Sequence, residues 1–347
     1  MKLLTVAVPT FNTEKYLERC LQSLVYDDKA LESLEIIVVN DGSTDNSLAI
    51  AREYEKKYPN TIVIIDKPNG GHGSAINKAL GIAKGKYFRV VDSDDWVNII
   101  DFPDHFKDLK KYDVDIVLTN YNRELVYEGA SEEFKYGEVI PYGRVFNLSD
   151  FDLKLFKDNY FFLATSDFRT EFLRKAGVKL DEKTYYVDME FVIFPIKEMS
   201  TFVYLNYNIY RYYQGRNDQS ISAQSMVRNR IDHEKVLRKL LHFYKMTKLS
   251  KNKKKYVAKI LILMLNSHYM IYCGQKTQEK SMTNEIRAFD LFLNREYGAL
   301  YDKVAVKFPY IAIYRSSKFM FIHNFYAIYK KYVDHVIFAK GKGEKYS

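Results

Sequence analysis

The first half of the chain alternates short apolar runs with longer stretches in which apolar residues recur every three or four positions. Leu3–Pro9 is almost wholly apolar, and Glu35–Asn40 is β-branched and apolar through its middle. Runs without polar alternation are expected of strands buried on both faces. Thr61–Asp66, Lys86–Asp92 and Asp115–Asn120 predict three further strands. Between them Leu17, Leu21, Leu24 and Val25 follow helical spacing, with Asn12 and Thr13 placed to cap that helix. A second helix follows the turn Asn40–Asp45 and runs to about Lys57, with Asp45 as its cap. A third, Ala75–Ala83, opens from the glycine-rich loop Asn69–Ser74, and a fourth lies around Pro103–Tyr112. Strands separated by helices of this length predict βαβ units, a mainly parallel sheet and an α/β fold. In such sheets ligands bind at the carboxyl ends of the strands. Here those ends carry Pro9-Thr10-Phe11-Asn12, Asn40-Asp41, Asp66-Lys67 and Asp92-Ser93-Asp94.

The pattern changes downstream. Residues 121–215 are mixed, with Phe202–Tyr213 reading as a strand, and the chain beyond Ser222 is mostly helical. Candidate helices there cover about 223–247, 252–272, 282–297 and 310–338. Charge divides at the same place. Residues 223–347 hold 25 Lys and Arg against 9 Asp and Glu, a net of +16, while residues 1–222 carry −7. The whole basic excess therefore sits in an aromatic-rich helical region. It predicts an anionic partner: a membrane surface, an anionic polymer or nucleic acid. Cys20 and Cys273 stand far apart, which gives no disulfide framework and fits a reducing compartment. The first apolar run is too short for a signal segment. No uninterrupted apolar stretch approaches the roughly 18–20 residues that span a bilayer.

The chemistry gathers at Val91-Asp92-Ser93-Asp94-Asp95-Trp96, an apolar strand running into three carboxylates. Hard cations such as Mg²⁺ and Mn²⁺ favour one or two carboxylates and let substrate phosphates complete the shell. Alone the triplet is also what a solvated acidic turn looks like. Three other elements precede it, in order and each at a strand end: Val8-Pro9-Thr10-Phe11-Asn12, Val39-Asn40-Asp41-Gly42-Ser43-Thr44-Asp45 and Asn69-Gly70-Gly71-His72-Gly73. With these four elements the chain resembles the inverting glycosyltransferases of family 2, which have the GT-A fold. The resemblance is strong over residues 3–100 and thinner to about 222.

That resemblance implies a role for each element. Pro9, Thr10 and Phe11, with Asn12 beside them, would wall a uracil pocket; Phe11 keeps the stacking face of the Tyr common there and loses its hydroxyl. Asp41 would accept the uracil N3–H. Lys67 and the loop Gly70, Gly71, His72 and Gly73 would meet diphosphate or ribose, glycine letting the backbone approach closely. Asp94 would ligate the metal directly. Asp92 would bond ribose or reach the metal through water, with Ser93 between them, and Asp95 would lie near the donor sugar. Inversion needs a general base for the acceptor hydroxyl. Family members carry a Glu-Asp pair at the start of a helix in the acceptor region. Here Tyr186-Val187-Asp188-Met189-Glu190 stands there, with Val187 where Glu is commoner. Asp188 is the expected base and Glu190 the reserve. Both also suit the first turn of a helix, where acids are favourable. Arg216 would bring positive charge to the diphosphate from the loop after the last strand.

The expectation is therefore a GT-A domain over 1–222, with a nucleotide-sugar half to about 100 and an acceptor half beyond it. A basic helical domain follows over 223–347. The activity implied is transfer of a hexosyl or N-acetylhexosaminyl group from a UDP-sugar, with Mn²⁺ or Mg²⁺, to a glycan, lipid-linked or glycoprotein acceptor. A cytoplasmic location, peripheral attachment to an anionic membrane face and a homodimer fit that picture; nucleic acid has no place in it. Two alternatives stand beside it. One is a catalytically degenerate glycan- or membrane-binding subunit. The other is a sugar nucleotidyltransferase, which would carry a glycine-rich basic loop where Pro9–Asn12 stands.

Overall fold

The computed structural model describes residues 2–26, 28–125, 129–136, 140–156, 159–214, 222–273 and 280–319. In chain order the first elements are β1 (Leu4–Thr10), α1 (Leu17–Leu24), the single turn α2 (Asp28–Leu31), β2 (Leu34–Asn40), α3 (Ser47–Lys57), β3 (Ile62–Asp66), α4 (His72–Ile82) and β4 (Tyr87–Val90). There follow β5 (Trp96–Val97), α5 (Phe102–Leu109), β6 (Ile116–Leu125), β7 (Ala130–Phe134), β8 (Val145–Asn147), β9 (Ser166–Arg169), α6 (Thr170–Lys175), α7 (Asp188–Ile193) and β10 (Thr201–Gln214). The last are α8 (Ala223–Arg228), α9 (Arg230–Met246), α10 (Lys251–Cys273), α11 (Lys280–Lys307) and α12 (Pro309–Ser316). These residues fall into two compact units, Met1–Gly215 with Thr247–Lys253, and Arg216–Met246 with Lys254–Ser347.

The first unit is built on one sheet of order β3-β2-β1-β4-β9-β6-β10-β5, with β7 on β6 and β8 on β10. The neighbours β3-β2-β1-β4 pair in parallel, as do β6 and β10; the short β5, β7, β8 and β9 run antiparallel to their neighbours. Every residue of β1 and β2 is buried, as their unbroken apolar runs require. The antiparallel β9 enters between β4 and β6 and is pinned by a buried charge cluster. Arg89 Nε donates to Asp167 Oδ1 at 2.5 Å, and His105 Nε2 lies 2.7 Å from Asp167 Oδ2, all three side chains fully buried. Burial would raise the Asp167 carboxyl, but Arg89 and His105 outweigh it and hold it well below the usual carboxylate range.

Asn12 and Thr13 do not cap α1. Tyr16 occupies the cap position without a side-chain bond. Asn12 takes φ 52° and its Oδ1 accepts the Thr44 N–H at 2.8 Å, so it ties two rim turns together instead. Asp45 does serve the start of α3: its Oδ1 accepts the Ser47 N–H at 3.0 Å and its Oδ2 the Glu14 N–H at 3.0 Å.

The second unit is helical, and two expectations about it change. The helix expected over 223–247 is two helices, separated at Asn229. The one expected over 282–297 ends where expected, at the kink of a non-helical Tyr297 (φ −140°, ψ 42°), and a second helical stretch runs on to Lys307. The one expected over 310–338 ends at Ser316, where Lys318 and Phe319 turn to φ 54° and 63°; residues 320–338 lie outside the described residues. By length and composition α10 could cross a membrane, but 78% of its most apolar window is buried, which makes it the core helix of this unit. His268 on α10 stacks on His233 of α9 with ring centroids 5.3 Å apart, both rings buried. Arg230 on α9 holds Glu285 of α11 with bonds of 2.7 and 3.0 Å.

Candidate functional site

Because β1 to β4 are parallel, their carboxyl ends form one rim, and the turns on it are bonded to each other. Asn12 N–H donates to Ser43 Oγ at 3.1 Å and Thr13 N–H to Ser47 Oγ at 2.9 Å. Thr13 Oγ1 donates to Ser93 Oγ at 2.9 Å, which joins the first turn to the acidic one. Pro9, Thr10 and Ser93 are buried by this arrangement, while Phe11 is 49% exposed and Asn12 is exposed. Of the first element, then, Phe11 and Asn12 are the side chains that reach the open rim.

Asp41 and Lys67, expected as separate ligand contacts, meet each other. The Asp41 carboxylate, 3% exposed, accepts from Lys67 Nζ, from the Gly70 N–H at 2.9 Å and from the Gly71 N–H at 2.7 Å. An ionised carboxylate offers about four acceptor positions, so three donors leave room for one more. The glycines are also explained from within the chain. Gly71 has φ 83°, and a Cβ there would stand 3.1 Å from Lys183 N. A Cβ on Gly73 would stand 2.3 Å from Asp181 O and 3.2 Å from Val187 Cγ2. Close approach at positions 71 and 73 therefore serves the segment that leads to Asp188. The chain's own packing thus gives these glycines a reason that needs no ligand.

The same packing brings the expected base to the acidic turn. Asp188 opens α7, directly after Val187, whose side chain lies against Gly73. His72, at the start of α4, places Nε2 2.8 Å from Asp92 Oδ1, with the two side chains 37% and 40% exposed. Burial works against protonation of His72, but Asp92, with Asp188 and Asp94 beyond it, outweighs this and raises the imidazole above its ordinary pKa. Burial also raises the Asp188 carboxyl, with His72 partly offsetting the rise. The sequence positions 72, 92, 94 and 188 thus share one electrostatic environment.

Asp95 and Glu190 face inward. Asp95 is 1% exposed; it accepts the Tyr210 hydroxyl at 2.5 Å and the Tyr213 N–H at 2.8 Å, so it fixes β10 beneath the rim. Burial, then the charges of Asp94 and Asp92, push its carboxyl well above the usual range. In this conformation its carboxylate supports the turn from within. Glu190 is fully buried and its Oε2 accepts the Asp181 N–H at 2.9 Å, which leaves Asp188 as the acid of the pair nearer the rim. Arg216 lies outside the described residues.

Sequence reasoning missed Arg19. Its guanidinium lies 3.6 Å over the Trp96 ring and 4.5 Å over that of Tyr213, and Nη2 donates to Asp94 O at 3.3 Å. In the sequence it is one charge on an amphipathic helix, and no local signal marks it. Trp96 packs on this guanidinium and, at 5.7 Å and edge-on, against Tyr213.

Among the described residues no three His, Cys, Asp or Glu side chains converge into a closed metal cage. Asp92 and Asp94, half-buried on one turn, still suit a hard cation whose remaining positions are filled by phosphate oxygens.

The family model described as Glycosyl transferase family 2 matches residues 5–155, the stretch that holds the first three strand-end turns and the acidic turn. The chain carries a family 2 glycosyltransferase domain. Among curated relatives, glycosyltransferase GlyA of Streptococcus pneumoniae is 31% identical over 207 residues, 60% of this chain and 28% of that one. The poly(ribitol-phosphate) beta-glucosyltransferase of Bacillus spizizenii is 45% identical over 95 residues, 27% of this chain and 15% of that one. The minor teichoic acid biosynthesis protein GgaB of Bacillus subtilis is 40% identical over 115 residues, 33% of this chain and 13% of that one. The matches span less than a third of each of these relatives. The crystal structure of S. aureus TarS 1-349 in complex with UDP-GlcNAc matches with TM-score 0.67 at 21% identity, over 97% of this chain and 92% of that one. At that identity the likeness is one of fold, and it gives the glycosyltransferase domain the GT-A architecture.

Proposed function

We propose that the chain is an inverting glycosyltransferase that moves a sugar from a UDP-sugar to an acceptor hydroxyl and depends on Mn²⁺ or Mg²⁺. The observation that supports this most is the convergence on His72. Its ring holds Asp92 at 2.8 Å, and Asp188 lies close enough for the two to shift each other's pKa. A base and an acidic diphosphate end are what single displacement at an anomeric carbon requires at one place. Phe11 offers an open aromatic face to a base, and Asp41 retains an acceptor position for the uracil N3–H. The N-terminus of α4 favours an anion on the same rim. A divalent cation held by Asp94, and by Asp92 through water, would supply Lewis acidity that neutralises the departing UDP. Asp188 takes the proton of the acceptor hydroxyl; its raised pKa makes it a stronger base than an ordinary carboxylate.

The relatives named for teichoic acid and poly(ribitol-phosphate) support a surface glycan or anionic polymer as acceptor. The basic excess of residues 223–347 agrees with such an acceptor and with peripheral attachment to an anionic membrane from the cytoplasmic side. The test is titration calorimetry of UDP with and without Mn²⁺. The wild type should bind UDP more tightly with the ion, and Asp94→Ala should lose that increment while keeping its fold. An increment unchanged in Asp94→Ala would remove Asp94 from the site.

A further inference from the structure

We propose that Asn77 is a positioning residue for the general base, acting through the segment that carries Asp188. The proposal rests on the reading of Asp188 as that base. Asn77 lies on α4, five residues beyond His72, and its amide bonds both polar groups of one backbone residue. Nδ2 donates to Leu180 O at 2.9 Å, and Oδ1 accepts the Leu180 N–H at 2.9 Å. Only an amide side chain carries a donor and an acceptor in this paired geometry, so Asn77 clasps the chain as a strand partner would.

Leu180 begins a segment that α4 and its preceding loop grip at successive points. Gly73 lies against Asp181 O and Val187 Cγ2, near both ends of the segment. The Lys183 N–H donates to Gly70 O at 2.6 Å. From the other side, Glu190 accepts the Asp181 N–H. Lys183 and Tyr186 hold φ values of 49° and 65° between these grips. Left-handed backbone at non-glycine residues persists where the surroundings over-determine it. The element that begins with His72, the partner of Asp92, therefore also sets where Asp188 stands. Donor-side and acceptor-side chemistry are registered by one helix, and Val187 in place of the family's commoner Glu supplies the apolar contact that seats it.

The test uses the full chain, UDP with Mn²⁺ as binding probe, and UDP release from whichever of UDP-glucose, UDP-galactose, UDP-GlcNAc and UDP-GalNAc the wild type turns over. Asn77→Ala removes both bonds, and Asn77→Asp keeps the acceptor and loses the donor. Displacement of a reacting group by about 1 Å costs on the order of 100-fold. Asn77→Ala should thus lower kcat roughly 10- to 100-fold, and Asn77→Asp, which sets a carboxylate oxygen against Leu180 O, at least as much, while the Kd for UDP stays within about twofold. In an Asp188→Asn background, Asn77→Ala should add less than about twofold, because the group it positions is already gone. An equal loss of kcat in both backgrounds, a parallel loss of UDP affinity, or an unchanged kcat in the single variant would each overturn the positioning role. Full activity of Asp188→Asn alone would instead overturn the reading of the base.

Discussion

Replacing Asp188 by Asn keeps the shape of the side chain and removes its capacity to take a proton. General-base catalysis contributes typically 10²–10⁴-fold, so the variant should lose about 3–5 kcal/mol of transition-state stabilisation at 1.36 kcal/mol per decade. The donors to Asp41 are Lys67, Gly70 and Gly71, none of them residue 188, so UDP should bind as before. The pH profile adds a second reading. The base works deprotonated, so the rate should climb with pH through its pKa and then level. Burial raises the Asp188 carboxyl and His72 partly restrains it. The acid limb should therefore lie above the ordinary carboxylate range of about 4, and it belongs to the group of Asp188, His72 and Asp92 acting together. The assay is UDP release from a UDP-sugar over about pH 4 to pH 9, for wild type and Asp188→Asn. Retained turnover with an unchanged acid limb in the variant would refute the assignment.

Three further outcomes follow from other parts of the molecule. Tyr210→Phe removes the hydroxyl that donates to buried Asp95 at 2.5 Å; it should cost about 1.5–3 kcal/mol in urea unfolding, and a change under about 0.5 kcal/mol would contradict the support given to Asp95. Burial lowers His233 to about 4 and His268 further below its ordinary range, His268 through burial and then the charges of His233 and Arg238. The unfolded chain then binds more protons than the folded one, so this contribution to stability is present above about pH 6.5 and is lost as pH falls through about 4. The helical unit should unfold more easily at pH 5 than at pH 7, by roughly a few kcal/mol at most, and His233→Phe should flatten that dependence in circular dichroism melts. In flotation assays the chain should rise with anionic vesicles at low salt and be released as salt increases; no binding at any salt would leave the lysines as a solvated bundle surface.

The sequence made the first half legible because β1, β2 and β4 are buried throughout and every parallel strand there ends in a polar turn. β1, β2, β3 and β4 fall within a residue or two of their apolar runs. Antiparallel insertions were harder. β9 is four residues long and is held by Arg89, Asp167 and His105, which lie far apart in sequence. At the site, residue types were readable and their partners were not. Asp41 and Lys67 stand 26 residues apart and could each be given a ligand, whereas the fold gives them to one another. Gly71 and Gly73 signal close approach without saying to what, and the residues against them, Asp181, Lys183 and Val187, lie more than 100 positions away. Arg19, Asn77 and Tyr210 carried no local mark, since each acts on a residue 75 or more positions away.

The most direct test of the whole account is UDP release from a panel of UDP-glucose, UDP-galactose, UDP-GlcNAc and UDP-GalNAc, with Mn²⁺, with Mg²⁺ and with chelator. At least one donor should be turned over, chelator should abolish the turnover and added ion should restore it. A folded protein that binds UDP yet releases none from any donor would contradict it and leave a degenerate binding subunit in its place.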